Sequence, residues 1–249
     1  MKLITVALAL FLVGCLSNSS DLDVEPSFNK AIALNGFWDG QFNQNGAVRF
    51  LFYDGAVFGT DGTSGYRGTV SYDEPSEKVS VAFSVYGLTT SETNANYYVS
   101  GGNANAVSFD GLLVNQSTST GTIVGNYVSA SEGGSLTLVA DGSWANGSAL
   151  WQLVGTWQAG AYRLFVAQRD GSNTFIGTGP NGCSFEGNIY LLNSKYPLFA
   201  VNMFKRENCS GFNLSDGQSA DGFTALNINQ QLEMYLALND EQLIMRFSK

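Results

Sequence analysis

Along most of the chain, apolar and polar residues alternate with a period of two. K-V-S-V-A-F-S-V-Y (78–86) puts Val79, Val81, Phe83 and Val85 on one face, and Ser80, Ala82 and Ser84 on the other. L-E-M-Y-L-A-L (232–238) does the same with Leu232, Met234, Leu236 and Leu238. V-R-F-L-F-Y (48–53) is a third run, followed at once by Asp54-Gly55. Successive side chains of a strand point to opposite faces, so this pattern marks half-buried antiparallel strands. Asp-Gly is a strong hairpin signal. It recurs at 54–55, 61–62, 110–111, 141–142, 170–171, 216–217 and 221–222. No stretch after residue 30 carries a helical period.

The chain also repeats itself. L-N-G-F-W (34–38) matches L-V-G-T-W (153–157), and G-A-V-R-F-L-F (46–52) matches G-A-Y-R-L-F-V (160–166). V-F-G-T (57–60) then matches F-I-G-T (175–178), and Y-R-G-T-V (66–70) matches F-E-G-N-I (185–189). G-T-I-V-G (121–125) and G-F-T-A-L (222–226) offer a further correspondence. The order and near-constant offset define two units, 34–141 and 153–249, with a turn-rich linker at 142–152. Each unit holds about eight strand-like runs, roughly 8–12 residues apart, which predicts a closed barrel or a sandwich. A meander of that size closes well into a small barrel, because closure removes the exposed edges. The expected fold is all-β, with two tandem antiparallel meander barrels.

The start of the chain reads differently. Met1 and Lys2 precede an apolar run from Leu3 to Val13 that is too short to span a bilayer. It suits the h-region of a signal peptide. Leu12-Val13-Gly14-Cys15 resembles the lipobox of bacterial lipoproteins. The resemblance implies removal of residues 1–14, a diacylglycerol on the Cys15 thiol and acylation of the new N-terminus. Two or three acyl chains hold a protein firmly to a membrane, where one does not. No Asp stands next to Cys15; in enterobacteria-like lipoproteins that implies sorting to the outer membrane, on its periplasmic face or the cell surface. Residues 15–33, polar and acidic, read as the lipidated N-terminus and a flexible tether.

With Cys15 assigned to lipid, Cys183 and Cys209 remain. An exported chain meets an oxidising compartment, where an even pair is most simply a disulfide; two separate buried thiols are the alternative. The G-x-W heading each unit resembles the first-strand signature of lipocalin and calycin barrels. That likeness implies a Trp paired with a last-strand Arg across the closed end. Arg246 is placed to pair with Trp157, whereas the first unit's last strand, L-T-L-V-A (136–140), has no Arg. Trp38 and Trp157 are read as barrel-end packing, with a place in a cavity wall as the other option. Tandem small barrels also resemble surface lipoproteins of Gram-negative bacteria.

Composition narrows the chemistry. The charge is −9 with only 13% charged residues, and no basic run invites nucleic acid. There is no histidine, which removes the commonest general base and metal ligand. Asp73, Glu74 and Glu77 cluster beside Pro75 and read as a solvated hairpin tip. Asp216 and Asp221 lack a complete calcium motif. No G-x-S-x-G elbow or phosphate-binding loop occurs. No catalytic residue, metal or cofactor is therefore assigned. Arg49 and Arg163 recur between apolar neighbours and should face outward, toward a surface salt bridge or an inter-unit contact. The expectation is a lipid-anchored, non-enzymatic envelope protein that binds a partner or serves a structural role. The alternatives are a carrier of an apolar ligand, if Phe83, Phe199 and Phe204 do not fill the barrels, and a carboxylate-based cell-wall glycan hydrolase.

Overall fold

The structure is a computed structural model and describes residues 34–44, 46–100, 106–115 and 120–249. The expected signal peptide, Cys15 and the expected tether lie outside the described residues. The first repeat holds β1 (Gly36–Phe42), β2 (Gly46–Tyr53), β3 (Ala56–Thr60), β4 (Ser64–Asp73), β5 (Lys78–Glu92), β6 (Ala95–Ser100), β7 (Ala106–Val114), β8 (Thr122–Ser129) and β9 (Gly133–Ala140). The second holds β10 (Gly155–Ala159), β11 (Tyr162–Arg169), β12 (Ser172–Thr178), β13 (Ser184–Leu191), β14 (Leu198–Glu207), β15 (Ala220–Leu226), β16 (Leu232–Leu238) and β17 (Glu241–Phe247). Every pairing is antiparallel. Among the described residues no helix is long and apolar enough to cross a membrane.

Strands β1, β2, β3, β4, β5, β7, β8 and β9 form a closed eight-stranded barrel, sealed where Trp38–Phe42 runs against Leu136–Ala140. The long β5 forks. Its first half pairs with β7 inside the barrel wall, and its second half pairs with β6. β6 leaves the barrel and pairs on its other edge with β17 of the second repeat. Among the described residues the first repeat thus has nine strands rather than eight, and the extra one is shared. In the second repeat β10 to β17 form one continuous meander. β10 meets the residue just past β17 through a single bridge, Gln158–Ser248, with two hydrogen bonds of 2.8 Å.

Three apolar clusters follow from this arrangement. One fills the closed barrel, with Trp38, Phe50, Phe52, Tyr66, Phe83 and Phe109. A second lies within the β10–β17 meander around Trp157, Phe175, Phe185 and Phe199, and takes in Ala95 and Tyr97 from β6. The third lies between the repeats and joins Phe37, Leu51, Phe58 and Tyr98 to Leu198, Ala225, Tyr235 and Ile244. Burying one such large side chain contributes about 1.5–3 kcal/mol. The strand patterns report this layering. β7, solvated on its outer face, alternates strictly between exposed and buried, whereas β2 buries Phe50, Leu51 and Phe52 in succession. β16 is buried throughout its first five residues, so its Glu233 and Tyr235 face the other repeat rather than water.

Local chemistry explains several sequence signals. Asp54 and Gly55 both have positive φ, 45° and 81°, in the two-residue turn between paired Tyr53 and Ala56. That is the primed turn Asp-Gly favours. Asp110-Gly111 and Asp221-Gly222 are not turns, however; they lie within β7 and β15. The repeated glycines Gly68 and Gly187 have a steric reason. A Cβ there would sit 2.0 Å from the Ala82 carbonyl oxygen and 2.3 Å from that of Asn202, so each marks a close approach of neighbouring strands. The G-T-I-V-G correspondence needs correction. It starts β8, the seventh wall strand of its repeat, while G-F-T-A-L lies in β15, the sixth of its own.

Cys183 and Cys209 are disulfide-bonded. They flank the paired ends of β13 and β14, where Ser184 lies opposite Glu207. The bond ties the open end of that hairpin. A double Cys183→Ser/Cys209→Ser variant is expected to lose about 3 kcal/mol, by the restriction a loop of this size places on the unfolded chain. The midpoint of urea unfolding checks this, and an unchanged midpoint would mean the hairpin is fixed by its ladder alone.

Candidate functional site

Where the repeats meet, an open cleft of about 680 Å³ lies above the third cluster. The first repeat contributes Asp39, Arg49, Asp61 and Glu92; the second contributes Asn227, Glu233 and Arg246. Arg49 stands at its base. It lies on β2 between the core residues Val48 and Phe50, so strand alternation turns it outward. Outward here means toward β16 of the other repeat.

Arg49 holds three carboxylates. Its Nη1 donates to both Asp39 oxygens at 2.6 Å, its Nη2 to Asp141 Oδ2 at 2.9 Å, and its Nε lies 3.0 Å from Glu233 Oε1. The guanidinium also stacks over Phe37, 4.2 Å from the ring centre. Asp141 in turn accepts from the Ser143 backbone and hydroxyl, which fixes the first turn of the linker. Glu233 is fully buried and accepts from Asn227 Nδ2 and the Tyr235 hydroxyl, each at 2.8 Å. Arg246 Nη2 adds a longer contact at 3.4 Å.

The electrostatics follow from burial and neighbours. Burial alone would push the Glu233 carboxyl up. Arg49 and Arg246, with the hydrogen bonds from Asn227 and Tyr235, outweigh it and hold the carboxyl below the ordinary range. Burial would lower Arg49, but Glu233 and Asp39 outweigh it and secure its charge. Burial first, then Glu233, pushes the Tyr235 hydroxyl well up, so it remains a donor. Buried ion pairs are tolerable only when hydrogen bonds satisfy the remaining lone pairs, and Glu233 meets that condition.

Trp38 and Trp157 are both buried, one in each core. Each indole Nε1 donates to a carbonyl four residues earlier, Leu34 and Leu153, at 2.7 Å. The pairing of Arg246 with Trp157 is corrected. Arg246 alternates with the core residues Met245 and Phe247, so it points out of the meander and reaches Glu233. The cation over the Trp157 ring is Lys249, with Nζ 4.6 Å from the ring centre. Arg49 makes both contacts expected of it, a strand-surface salt bridge to Asp39 and an inter-repeat one to Glu233. Phe83 and Phe199 point inward, but Phe204 is exposed.

Sequence reasoning missed two residues. Glu233 stands in L-E-M-Y-L-A-L on a face otherwise made of Tyr235 and Ala237; a lone acid on an apolar outer face was the available signal. Arg206 had none. The β13–β14 register slips beside Glu186/Gly187, which turns Arg206 into the interior. There its Nη2 donates to Ser210 O at 2.7 Å and its Nη1 to Phe212 O, beneath the Phe212 ring. Among the described residues no cluster of three or more His, Cys, Asp or Glu could hold a metal. No protein-family model matches the sequence, and a comparison with curated proteins finds no match either.

Proposed function

We propose that this chain is a lipid-anchored lipoprotein of the cell envelope, held to the outer membrane through Cys15, whose two repeats act as a non-enzymatic binding or structural module. In this reading the β10–β17 meander is a second small barrel in tandem with the first. The lipobox-like L-V-G-C carries the anchor half of the reading. The junction carries the other half: a cleft outside both cores, lined by amide and carboxylate side chains, on a base that an ion network fixes. Such a rigid polar recess suits recognition of a polar partner in the envelope.

The packing weighs against a carrier of apolar ligands. Phe50, Phe52, Tyr66 and Phe83 fill the closed barrel with ring centres 5.2–5.8 Å apart. Glycan hydrolysis needs a carboxyl that gives up a proton near neutral pH. Glu233, the most buried acid of the cleft, is biased the other way. Metabolic palmitate labelling tests the anchor. The wild-type chain should incorporate label and fractionate with membranes, and Cys15→Ala should do neither. Labelling that survives Cys15→Ala would sink the lipoprotein reading.

A further inference from the structure

The internal repeat aligns the two β ladders residue by residue, and the alignment exposes an asymmetry. In the first repeat Phe37, Leu51 and Phe58 lie side by side across β1, β2 and β3 on the outer face. That row is buried against β14–β17. The same row in the second repeat is Thr156, Phe165 and Ile176 across β10, β11 and β12. There Phe165 and Ile176 are 49% and 56% exposed.

The receiving surface shows the converse. The outer face of β15–β17 has its counterpart in the first repeat on β7–β9. On that face Leu112, Val124 and Val139 are 52%, 47% and 49% exposed, and Leu112 lies directly opposite Val124. All the large apolar residues exposed in the first repeat, these three and Val128, fall on β7, β8 or β9 among the described residues. The junction inside the chain therefore joins unlike faces: early strands of one repeat on late strands of the other. A junction of unlike faces uses one face of each kind and leaves the other of each kind bare.

We propose that a second copy of this chain occupies them. The β10–β12 face of one copy, with Phe165 and Ile176, docks on the β7–β9 face of the next, with Leu112, Val124 and Val139. The contact repeats the unlike-face packing already made within the chain, and its apolar residues are among those the fold otherwise leaves in water. Such a contact is heterologous, so it propagates into a line or closes into a ring. It differs from the internal junction in its side chains: Thr156 stands for Phe37 and Gln158 for Asp39, and on the receiving face Asn126 stands where the second repeat has Tyr235. Arg163 takes the place of Arg49, but counting through the ladder from the aligned tryptophans puts Val124 where the second repeat has Glu233. The contact between copies thus lacks the ion pair. It is weaker than the internal junction.

Sedimentation velocity of the full chain in mild detergent, across a wide concentration range, tests this. The wild type should at least double its mean protein mass at the upper end. Phe165→Asp and Val124→Asp should each remove the apolar contact from one face only. Each alone should stop growth, with an unchanged melting temperature showing that the fold is intact. Mixed together, the two variants should form a one-to-one pair and nothing larger, because each retains the face the other lacks. A wild type that stays monomeric, or a mixture that stays monomeric when the wild type associates, would overturn the proposal.

Discussion

Arg49→Met is expected to destabilise the protein by about 3–5 kcal/mol, the range for breaking a buried ion pair from one side. The methionine fills similar space over Phe37, so lost volume is not the main cause. The cause is what remains: Glu233 and Asp141, both buried, would lose their shared cation, leaving half-exposed Arg246 at 3.4 Å as the cation beside Glu233. A double Arg49→Met/Glu233→Gln variant should recover a large part of the loss, because it removes the stranded charge along with its partner. Asp39→Asn should cost no more than about 1 kcal/mol, since Asp39 is solvated. The pH dependence has the sign of a depressed carboxyl. Glu233 binds its proton less readily folded than unfolded, so its contribution is complete above the ordinary value of 4.5 and fades as pH falls below it. Urea midpoints at neutral pH and in acid measure both effects. The wild type should lose stability in acid more steeply than the double variant. A loss below about 1 kcal/mol for Arg49→Met would reduce the network to an ordinary surface salt bridge.

Trp157→Ala and Trp38→Ala should each cost about 3–5 kcal/mol, as expected for truncating a buried indole. The two losses should be similar, because the structure gives both rings the same place: a first-strand position, a filled core and the same carbonyl four residues back. Phenylalanine at either site retains most of the apolar contact and forfeits the Nε1 bond, a further loss of about 1 kcal/mol for a net hydrogen bond. Thermal unfolding of all four variants checks the pairwise equality. A much smaller loss at one site would mean that the repeat survives there in sequence but not in energetics.

How far these features could be read beforehand varies with how many faces a strand buries. β7 and β11 have one face in water, and their alternation is plain in the sequence. The Val79–Val85 face of β5 is equally legible. β2, β16 and β17 bury both faces, so their runs read as ordinary strands while their true partner, the other repeat, stays hidden. Arg49 was legible as an inter-unit contact because it recurs and because parity turns it away from the core. Likeness to another barrel sends Arg246 to Trp157, although parity alone sends it outward, as it does Arg49. β6 was invisible for another reason: nothing in A-N-Y-Y-V-S announces that half of β5 belongs to a different neighbour than the other half. The bulge at β14 is equally silent, since a one-residue slip depends on the ladder and not on any residue type.

The shared strand β6 has a consequence for how the molecule comes into being. β6 is made early and finds one neighbour, β5, at once. Its other neighbour is β17, so Val99 must wait for Glu241 and Ala95 for Met245. During synthesis the first repeat therefore carries a bare strand edge, with Tyr97 and Tyr98 upon it, long after its own barrel could close. Pairings between distant parts of a chain form slowly, and open edges recruit wrong partners meanwhile. A chain interrupted before residue 241 would present that edge permanently. The two repeats are thus one unit in time as well as in space: neither is finished until the chain has nearly ended its seventeenth strand.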